Sequence, residues 1–476
     1  MSDLVDVVVI GAGAAGLSVA AISAGLGLKV VLIERGKMGG DCLNYGCVPS
    51  KAMLAAGHAA AQARGAHRFG VKVSAPEIDW AGVRAHVKGA IARIEPNDSA
   101  ARFRGMGIDV IEASAHFIAP DEVEAGHRRI RFRRCVIAAG SAAIIPPIPG
   151  LGEVRYLTNE TLFELEEAPE HLAIIGGGPI GLEMAQAHAR LGCRVSVIEA
   201  ASSIASREDP EMVSGLRDAL ERDGVEFHEG VKVDAVAREG AGIAVMLGDG
   251  SKVAASHLLL ATGRAPRLAA LDLVVGQVDA SPRGITTDAG LRSVSNRRVF
   301  ACGDIADPAG IGPRAFTHVA SQHAGILARR MIFKLPAKVD YAALPRVTYT
   351  DPEIAQIGLT EAEARAAGYE GLTLLRWPLA ENDRAVAEGV EGGLVKLVVG
   401  KKGVLLGASI LAPGAGEMAG TYGLMIGRKL PLSALAGMVL PYPTLAEMGK
   451  RAAGDFYTPK LTSALVKRAV GWLKYV

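Results

Sequence analysis

Two cysteines lie close together in the N-terminal part of the chain, in a segment that could carry redox chemistry. Cys42 and Cys47 stand within residues 39–51, shortly after a glycine-rich loop at residues 11–16. Closely spaced cysteines can cycle between dithiol and disulfide. A glycine-rich loop between a strand and a helix can hold the pyrophosphate of a dinucleotide. The two features together predict that electrons pass between a bound dinucleotide and sulfur.

The segments on either side of the first glycine-rich loop predict a βαβ unit. A β-branched run at residues 7–10 precedes the loop, an apolar helix follows it, and a second strand ends at Glu34. The glycines of the loop are Gly11, Gly13 and Gly16. Such glycines permit a tight turn and a close approach to phosphate, and an acid in the position of Glu34 suits a ribose 2′-hydroxyl. The alternative is a tight turn in an ordinary α/β domain, which the flanking strands disfavour.

A second unit of the same kind begins with the apolar run at residues 172–175. Its loop carries Gly176, Gly178 and Gly181, and its second strand ends at Glu199. Two such units predict two dinucleotide sites. The acids at matching strand ends are what an internal duplication would give.

The order of elements predicts an α/β protein with two Rossmann-like dinucleotide-binding domains and a C-terminal α+β domain. Helices are expected over residues 50–63 and 80–94. The expected bounds are 1–150 and 276–337 for the first nucleotide-binding domain, 151–275 for the second, 338–459 for the α+β domain, and 460–476 for a tail.

The tail reads as one amphipathic helix. Its lysines Lys460, Lys467 and Lys474 share one edge. Its apolar residues Leu461, Leu465, Ala469, Trp472 and Val476 share another face. We expect this face to pack on the protein, and the alternative is weak contact with an anionic membrane surface.

Composition narrows the class of protein. The chain has 476 residues, half of them hydrophobic, which predicts several domains with ample cores. A net charge of +2 gives no argument for a nucleic-acid partner. We expect no signal peptide and no spanning helix, and five cysteines do not suggest a secreted disulfide scaffold. We therefore expect a cytoplasmic protein without a metal site.

Over essentially its whole length the chain resembles the flavoprotein pyridine nucleotide–disulfide oxidoreductases, among them dihydrolipoamide dehydrogenase, glutathione reductase and mercuric reductase. The resemblance rests on the cysteine segment, on both glycine loops and on residues 301–304, which are similar to the family's second FAD motif. Residues 350–353 and 358–361 resemble stretches of the family's dimerisation domain. The resemblance implies FAD at the first loop, NADH or NADPH at the second, and a homodimer whose active sites use both chains.

The resemblance also implies roles for four side chains. Cys47 matches the thiol that lies against the flavin, and Cys42 the outer thiol that exchanges with substrate. A structural disulfide or a stray metal pair is the alternative, although two cysteines make a poor metal site. Lys51 matches the lysine beside flavin N5 and Glu183 its carboxylate partner, and the alternative is a pair of solvated surface charges.

The expected cofactor contacts follow from the same resemblance. For FAD they are Gly11, Gly13, Gly16, Glu34, Gly40, Lys51, Gly140, Asp304 and His318. For the nicotinamide nucleotide they are Gly176, Gly178, Gly181, Glu199 and Gly263. NADH is favoured over NADPH because Glu199 can bond a ribose 2′-hydroxyl and would repel a 2′-phosphate. Arg207 lies close enough in sequence for a phosphate to recruit it, which would favour NADPH.

The clearest departure from the family is Tyr442, which stands where an acid–base histidine is usual, five residues before Glu447. Tyrosine can donate a proton but is a poor base at neutral pH. Mercuric reductase resembles the chain in having tyrosine there, but no cysteine follows Cys302 to match that enzyme's terminal pair. Simple packing of Tyr442 is the alternative. Smaller departures are Asp41, which would raise a nearby thiol pKa, and Tyr45.

These features predict an FAD enzyme that takes electrons from NAD(P)H and passes them through a Cys42–Cys47 disulfide to a small disulfide or another soft electrophile. The first alternative is a reductase of quinones or metal ions without a disulfide substrate. The second is a non-catalytic or electron-transfer subunit of a larger complex. Neither fold nor motif identifies the acceptor.

Overall fold

The computed structural model describes residues 4–390 and 392–474, which form two compact units. The first unit comprises residues 4–55, 79–168 and 257–339. The second comprises residues 56–78, 169–256 and the described part of 340–476.

The described residues contain twenty-five strands, which are numbered in chain order. The first eight are β1 (Leu4–Ile10), β2 (Val30–Glu34), β3 (Asp109–Glu112), β4 (Ala115–Ala119), β5 (Glu122–Ala125), β6 (Arg128–Ile137), β7 (Ser141–Ala143) and β8 (Tyr156–Leu157). Next come β9 (His171–Ile175), β10 (Arg194–Glu199), β11 (Val225–Glu229), β12 (Val233–Glu239), β13 (Gly242–Leu247), β14 (Lys252–Ala255), β15 (His257–Leu260) and β16 (Arg264–Pro266). The last are β17 (Ala280–Ser281), β18 (Gly284–Thr287), β19 (Val299–Ala301), β20 (Ala306–Pro308), β21 (Pro345–Thr348), β22 (Glu353–Gly358), β23 (Thr373–Pro378), β24 (Leu394–Val399) and β25 (Leu405–Ala412).

Fifteen α-helices are numbered in the same way. The first eight are α1 (Ala14–Gly25), α2 (Gly40–Asn44), α3 (Cys47–Gly65), α4 (Trp80–Asp98), α5 (Ala100–Gly105), α6 (Pro179–Arg190), α7 (Pro210–Arg222) and α8 (Thr317–Leu327). The others are α9 (Glu361–Ala366), α10 (Asp383–Ala387), α11 (Ala415–Gly427), α12 (Leu432–Ala436), α13 (Glu447–Asp455), α14 (Thr458–Leu461) and α15 (Ala464–Leu473).

The first unit is built on a mixed sheet with the order β3–β2–β1–β6–β5–β4, and β19 also pairs with β6. The strands β2, β1, β6 and β19 run parallel, and Val8 of β1 lies opposite Val31 and Cys135. Residues 7–10 of β1, 30–33 of β2, 135–137 of β6 and all of β19 are apolar because both faces of a parallel sheet are covered. Parallel strands end at one edge, so the loop after β1 and the end of β2 meet there.

A two-stranded ladder of β7 and β16 belongs to the same unit, with Ala142 opposite Ala265. The short strands β17, β18 and β20 form a third sheet. The β7–β16 ladder matters for the site because it brings Ser141 and Arg264 together from distant parts of the chain.

The second unit contains a parallel set, β9, β10 and β11, and an antiparallel sheet of β12, β13 and β14. A five-stranded antiparallel sheet follows with the order β21–β22–β25–β24–β23. Helices α11 and α13 pack on it around a core that includes Leu397, Ile410 and Met448. The α/β class predicted from the sequence, with a C-terminal α+β domain, is confirmed.

One buried ion cluster joins the parallel set to the five-stranded sheet within the second unit. The side chain of Lys396 in β24 is only 3% exposed, and its Nζ lies 2.8 Å from Asp209 Oδ2 and 2.7 Å from Glu211 Oε1. Glu361 Oε2 is 2.9 Å from the same nitrogen. A buried ammonium requires such partners because its desolvation cost is high.

The C-terminal tail differs from the single helix that the sequence pattern predicts. Two helices, α14 and α15, replace it, and the Ser463 hydroxyl accepts from Val466 N to begin the second. Lys460 therefore does not share a helix with Lys467. Leu465 and Trp472 are exposed in the single chain, and Val476 lies outside the described residues. Between residues 4 and 474, residue 391 excepted, no helix is long and apolar enough to cross a membrane.

Candidate redox-active site

The cysteine segment is seated directly on the first nucleotide loop. Gly39 N donates to Ala12 O at 2.9 Å, and Gly39 and Gly40 both have positive φ. A Cβ on Gly40 would lie 2.6 Å from the Cα of Gly13, closer than real Cβ contacts allow. Only glycine therefore lets this backbone approach the loop so closely. Cys42 follows in α2, and Cys47 is the first residue of α3.

The side chains of Cys42 and Cys47 are hydrogen-bonded to each other. That hydrogen bond, followed by burial, raises the pKa of Cys42. Cys47 stands at the start of the next helix. The N-terminus of the 19-residue helix α3 favours an anion at that position. Cys47 Sγ also lies 3.4 Å from Thr317 Oγ1.

The remaining cysteines lack these properties. Cys135, Cys193 and Cys302 are buried, and burial raises the pKa of each thiol, that of Cys193 to about 11. A thiol buried in apolar surroundings is out of reach of a substrate. The redox reading therefore belongs to Cys42 and Cys47.

The first nucleotide loop has the shape that a pyrophosphate needs. A Cβ on Gly16 would lie 1.8 Å from Gly11 O, so α1 can pack against the loop only with glycine there. A Cβ on Gly13 would meet only Gly40 within 4 Å. Glu34 accepts from Ala12 N at 2.6 Å and through its other oxygen from Gly36 N at 2.8 Å. The carboxylate is thus fixed at the end of β2, where a ribose would lie.

The second FAD segment supplies a half-buried carboxylate. Asp304 Oδ2 accepts from Ser141 Oγ at 2.6 Å, and burial raises the pKa of Asp304. A carboxylate at this place can accept from hydroxyl donors such as those of a ribityl chain. Gly140 follows β6 on the same edge, and His318 stacks on Phe316 with ring centroids 5.2 Å apart. These residues fit FAD.

The second nucleotide loop repeats the geometry of the first. A Cβ on Gly181 would lie 2.0 Å from Gly176 O, while one on Gly178 would meet nothing within 4 Å. Glu199 accepts from Gly177 N and, through its other oxygen, from Ala201 N, both at 2.7 Å. The same turn and the same carboxylate support an internal duplication. These contacts fit a second dinucleotide.

Three other expected site residues each have a hydrogen-bond partner within their own unit or next to them in the chain. Gly263 O accepts from Ile144 N at 3.0 Å in the first unit. Lys51 Nζ donates to Ser50 Oγ at 3.4 Å, also in the first unit. Glu183, buried in α6 of the second unit, accepts from Tyr349 N at 3.0 Å. The pairing of Lys51 with Glu183 stays a prediction.

Asp41 has partners that the sequence did not indicate. Its Oδ1 lies 3.0 Å from Arg264 Nη2 and accepts from Asn159 Nδ2, also at 3.0 Å. Asn159 donates a further hydrogen bond to Tyr45 O at 3.2 Å. The negative charge of Asp41 is therefore compensated, and the raised pKa of Cys42 has other causes.

Tyr442 likewise has an unexpected partner. Its hydroxyl donates to Asp383 Oδ2 at 2.7 Å, whereas Glu447 accepts from Thr444 N at 3.3 Å. The hydrogen bond to Asp383 raises the pKa of Tyr442, as does the charge of that carboxylate. Asp383 therefore holds the tyrosine hydroxyl in the single chain, and no sequence motif marks it.

Comparison with known proteins agrees with this arrangement. Residues 5–324 match the family model described as pyridine nucleotide-disulphide oxidoreductase, and residues 344–453 match its dimerisation domain. The chain is 38% identical to mercuric reductase of Streptomyces lividans over 469 residues, which cover 95% of this chain and 96% of that protein. It is 32% identical to dihydrolipoyl dehydrogenase of Geobacillus stearothermophilus over 458 residues, covering 94% and 95%.

Solved structures give the same result. The HOCl-induced flavoprotein disulfide reductase RclA from Escherichia coli, in its Cu(II) complex, superposes with a TM-score of 0.84 at 25% identity, covering 94% of this chain and 99% of that one. LpdA from Mycobacterium tuberculosis gives a TM-score of 0.85 at 25% identity, with coverage of 95% and 100%. The match to the dimerisation domain supports a homodimer. The chain belongs to the pyridine nucleotide–disulphide oxidoreductases, which are FAD- and NAD(P)H-dependent oxidoreductases.

Proposed function

We propose that this protein reduces a small disulfide or another soft electrophile with electrons from NAD(P)H that pass through the Cys42–Cys47 pair. The observation that carries the proposal is the pair of hydrogen-bonded thiols seated on the first nucleotide loop. A structural cysteine pair would not need a dinucleotide loop beneath it. FAD, when bound, would accept hydride from the nicotinamide and deliver the electrons to sulfur.

Residues of the chain itself would exchange with the acceptor and hold the two cofactors. Cys47 would lie against the flavin, and Cys42 would exchange as its thiolate with the acceptor, as the family resemblance implies. Asp304 and Glu34 would hold hydroxyl groups of FAD, and Glu199 a ribose hydroxyl of the nicotinamide nucleotide. These assignments rest on the hydrogen-bond positions described above.

Spectra of the two cysteine variants test the proposal. Anaerobic titration of the holoenzyme with NADH should produce long-wavelength charge-transfer absorbance, because a Cys47 thiolate would lie against oxidised flavin. Cys47→Ser should abolish that absorbance. Cys42→Ser should leave the Cys47 thiolate exposed and show the band before reduction. Equal spectra in the two variants would contradict the assignment of inner and outer thiols, and Cys193→Ser is the matched control.

Mercuric ion is the second candidate acceptor, because a mercuric reductase is 38% identical to the chain over nearly its whole length. Thiolates bind soft metal ions well, so the same cysteine pair could serve either acceptor. Anaerobic turnover with a panel of small disulfides, quinones and mercuric ion separates the candidates. Turnover with quinones that persists in Cys42→Ser would favour direct reduction by flavin. No turnover with any member would favour a non-catalytic role.

The finer assignments form part of the same proposal. We favour NADH over NADPH because the Glu199 carboxylate would repel a 2′-phosphate. We place the enzyme in the cytoplasm, where NAD(P)H is available. For the tail, we favour packing on the dimer over contact with an anionic membrane surface, since residues exposed in one chain are available to a partner chain. All three assignments leave the cysteine chemistry unchanged.

A further inference from the structure

Asp41 and Asn159 brace the short segment that separates the two thiols. Asn159 Nδ2 donates to Asp41 Oδ1 at 3.0 Å and to Tyr45 O at 3.2 Å, so it spans the residues that enclose Cys42. Arg264 Nη2 lies 3.0 Å from the same oxygen of Asp41, and the Arg264 side chain is 17% exposed. All of these groups belong to the first unit. The brace therefore fixes the backbone on which Cys42 approaches Cys47.

Arg264 also connects the brace to the half-buried carboxylate of Asp304. Its Nε donates to Ser141 Oγ at 2.8 Å and its Nη2 to Ser141 O at 3.0 Å. Ser141 Oγ in turn donates to Asp304 Oδ2 at 2.6 Å. Burial raises the pKa of Asp304, and the charge of Asp41 raises it further. The charge of Arg264 lowers the same pKa. One guanidinium thus compensates two carboxylates that share it.

We propose that Asp41 is a positioning residue for the dithiol, acting through Arg264, and that this shared arginine links the cysteine segment to the Asp304 carboxylate. The proposal rests on the proposed function only in taking Cys42 and Cys47 as a redox pair. A fork-shaped guanidinium suits the role because it can bond Asp41 and Ser141 in one fixed geometry. A lysine would carry the charge without that geometry.

The brace has a defined effect on the thiol–disulfide equilibrium. Oxidation forms the Cys42–Cys47 S–S bond, releases both thiol protons and passes two electrons to an external disulfide, which becomes two thiols. Holding the thiols together raises their effective concentration for this step and so favours the disulfide. Asp41→Asn should therefore shift the equilibrium towards the dithiol by about tenfold, which corresponds to ~30 mV.

The sign of the shift in a second variant separates positioning from a local charge effect. If Asp41 acted only as a charge beside the thiols, Arg264→Gln would unmask that charge, disfavour the thiolate and move the potential opposite to Asp41→Asn. If Asp41 acts through the brace, both variants loosen the segment and shift the potential the same way. The double variant should then shift little more than either single variant, because coupled residues are not additive.

The experiment equilibrates the holoenzyme with a thiol–disulfide redox buffer and counts alkylated thiols, which requires neither NAD(P)H nor an acceptor. Asp109→Asn, at the exposed ion pair with Arg128, is the matched control and should not shift. Asn159→Ala leaves the net charge unchanged and should shift the potential in the same direction as Asp41→Asn. It replaces Arg264→Gln as the second variant if Arg264→Gln does not fold. Shifts of opposite sign in Asp41→Asn and Arg264→Gln, or no shift in Asp41→Asn, would overturn the proposal.

Failure of this inference is distinguishable from failure of the proposed function. An unchanged potential in Asp41→Asn, together with an intact charge-transfer band, would refute the positioning role of Asp41 but not the assignment of Cys42 and Cys47 as the redox pair. A pair that never forms a disulfide in the redox buffer would remove both. Asp41→Glu should recover part of the parent potential because its carboxylate can still reach Arg264.

Discussion

Replacing Tyr442 with phenylalanine tests whether its hydroxyl supplies a proton during acceptor reduction. The hydroxyl donates to Asp383 Oδ2 at 2.7 Å, and this hydrogen bond raises the pKa of Tyr442 above its ordinary value. The side chain is therefore protonated throughout the neutral range. It can donate to a departing thiolate but cannot readily take a proton from an incoming thiol.

The expected magnitude follows from that hydrogen bond. A positioned general acid contributes ~10²–10⁴ in rate, and the contribution falls as its pKa moves away from the working pH. Because Asp383 makes Tyr442 a weaker acid, we expect Tyr442→Phe to lower acceptor reduction by about ten- to a thousandfold. Flavin reduction by NADH, measured by stopped flow in the same variant, should be nearly unchanged because it precedes proton delivery to the acceptor.

Asp383→Asn gives the pH dependence of the same group. The tyrosine donates only while protonated, so activity is present below its pKa and falls as pH rises through it. Asp383 raises that pKa, so the Asn variant should lose acceptor reduction at a lower pH than the parent. Tyr369→Phe, at an exposed tyrosine, is the matched control. A Tyr442→Phe enzyme as active as the parent on its best acceptor would refute this reasoning.

Two further variants test the coenzyme and the tail. Glu199→Gln keeps an oxygen that can accept from Gly177 N but removes the negative charge. The ratio of kcat/KM for NADH to kcat/KM for NADPH should therefore fall by about tenfold, or ~1.4 kcal/mol. An unchanged ratio would show that Glu199 does not select the coenzyme. Deleting residues 460–476 should lower the thermal midpoint of the dimer. The parent protein should not sediment with anionic vesicles at low salt. Sedimentation of the parent that the deletion abolishes would instead favour contact of the tail with a membrane surface.

Both βαβ units could be predicted from the sequence because their signals are local. The apolar run that forms β2 ends at Glu34, as predicted, since a strand buried on both faces must be apolar throughout. The helix α4 begins at Trp80, as predicted, but α3 begins at Cys47 rather than at residue 50. Pro49 is compatible with this earlier start because the first turn of a helix does not use its N–H groups.

The side-chain partners of the site could not be predicted in the same way. Asp41 and Asn159 are 118 residues apart, and Tyr442 and Asp383 are 59 apart. Such pairs form only when separate elements pack together, so no local pattern marks them. The break in the tail had a local signal, since Ser463 is a favourable N-cap residue, but the apolar periodicity that continues across it concealed the break.

The ion cluster around Lys396 links the nucleotide-binding part of the second unit to its five-stranded sheet. Residue Asp209 belongs to the nucleotide-binding part of this unit, whereas Lys396 lies in the five-stranded sheet. Cutting the chain before residue 340 would remove the cation 2.8 Å from the Asp209 carboxylate, and also the sheet on which α7 packs. The nicotinamide nucleotide domain is therefore not a module that can be excised or exchanged between relatives without the sheet that neutralises it.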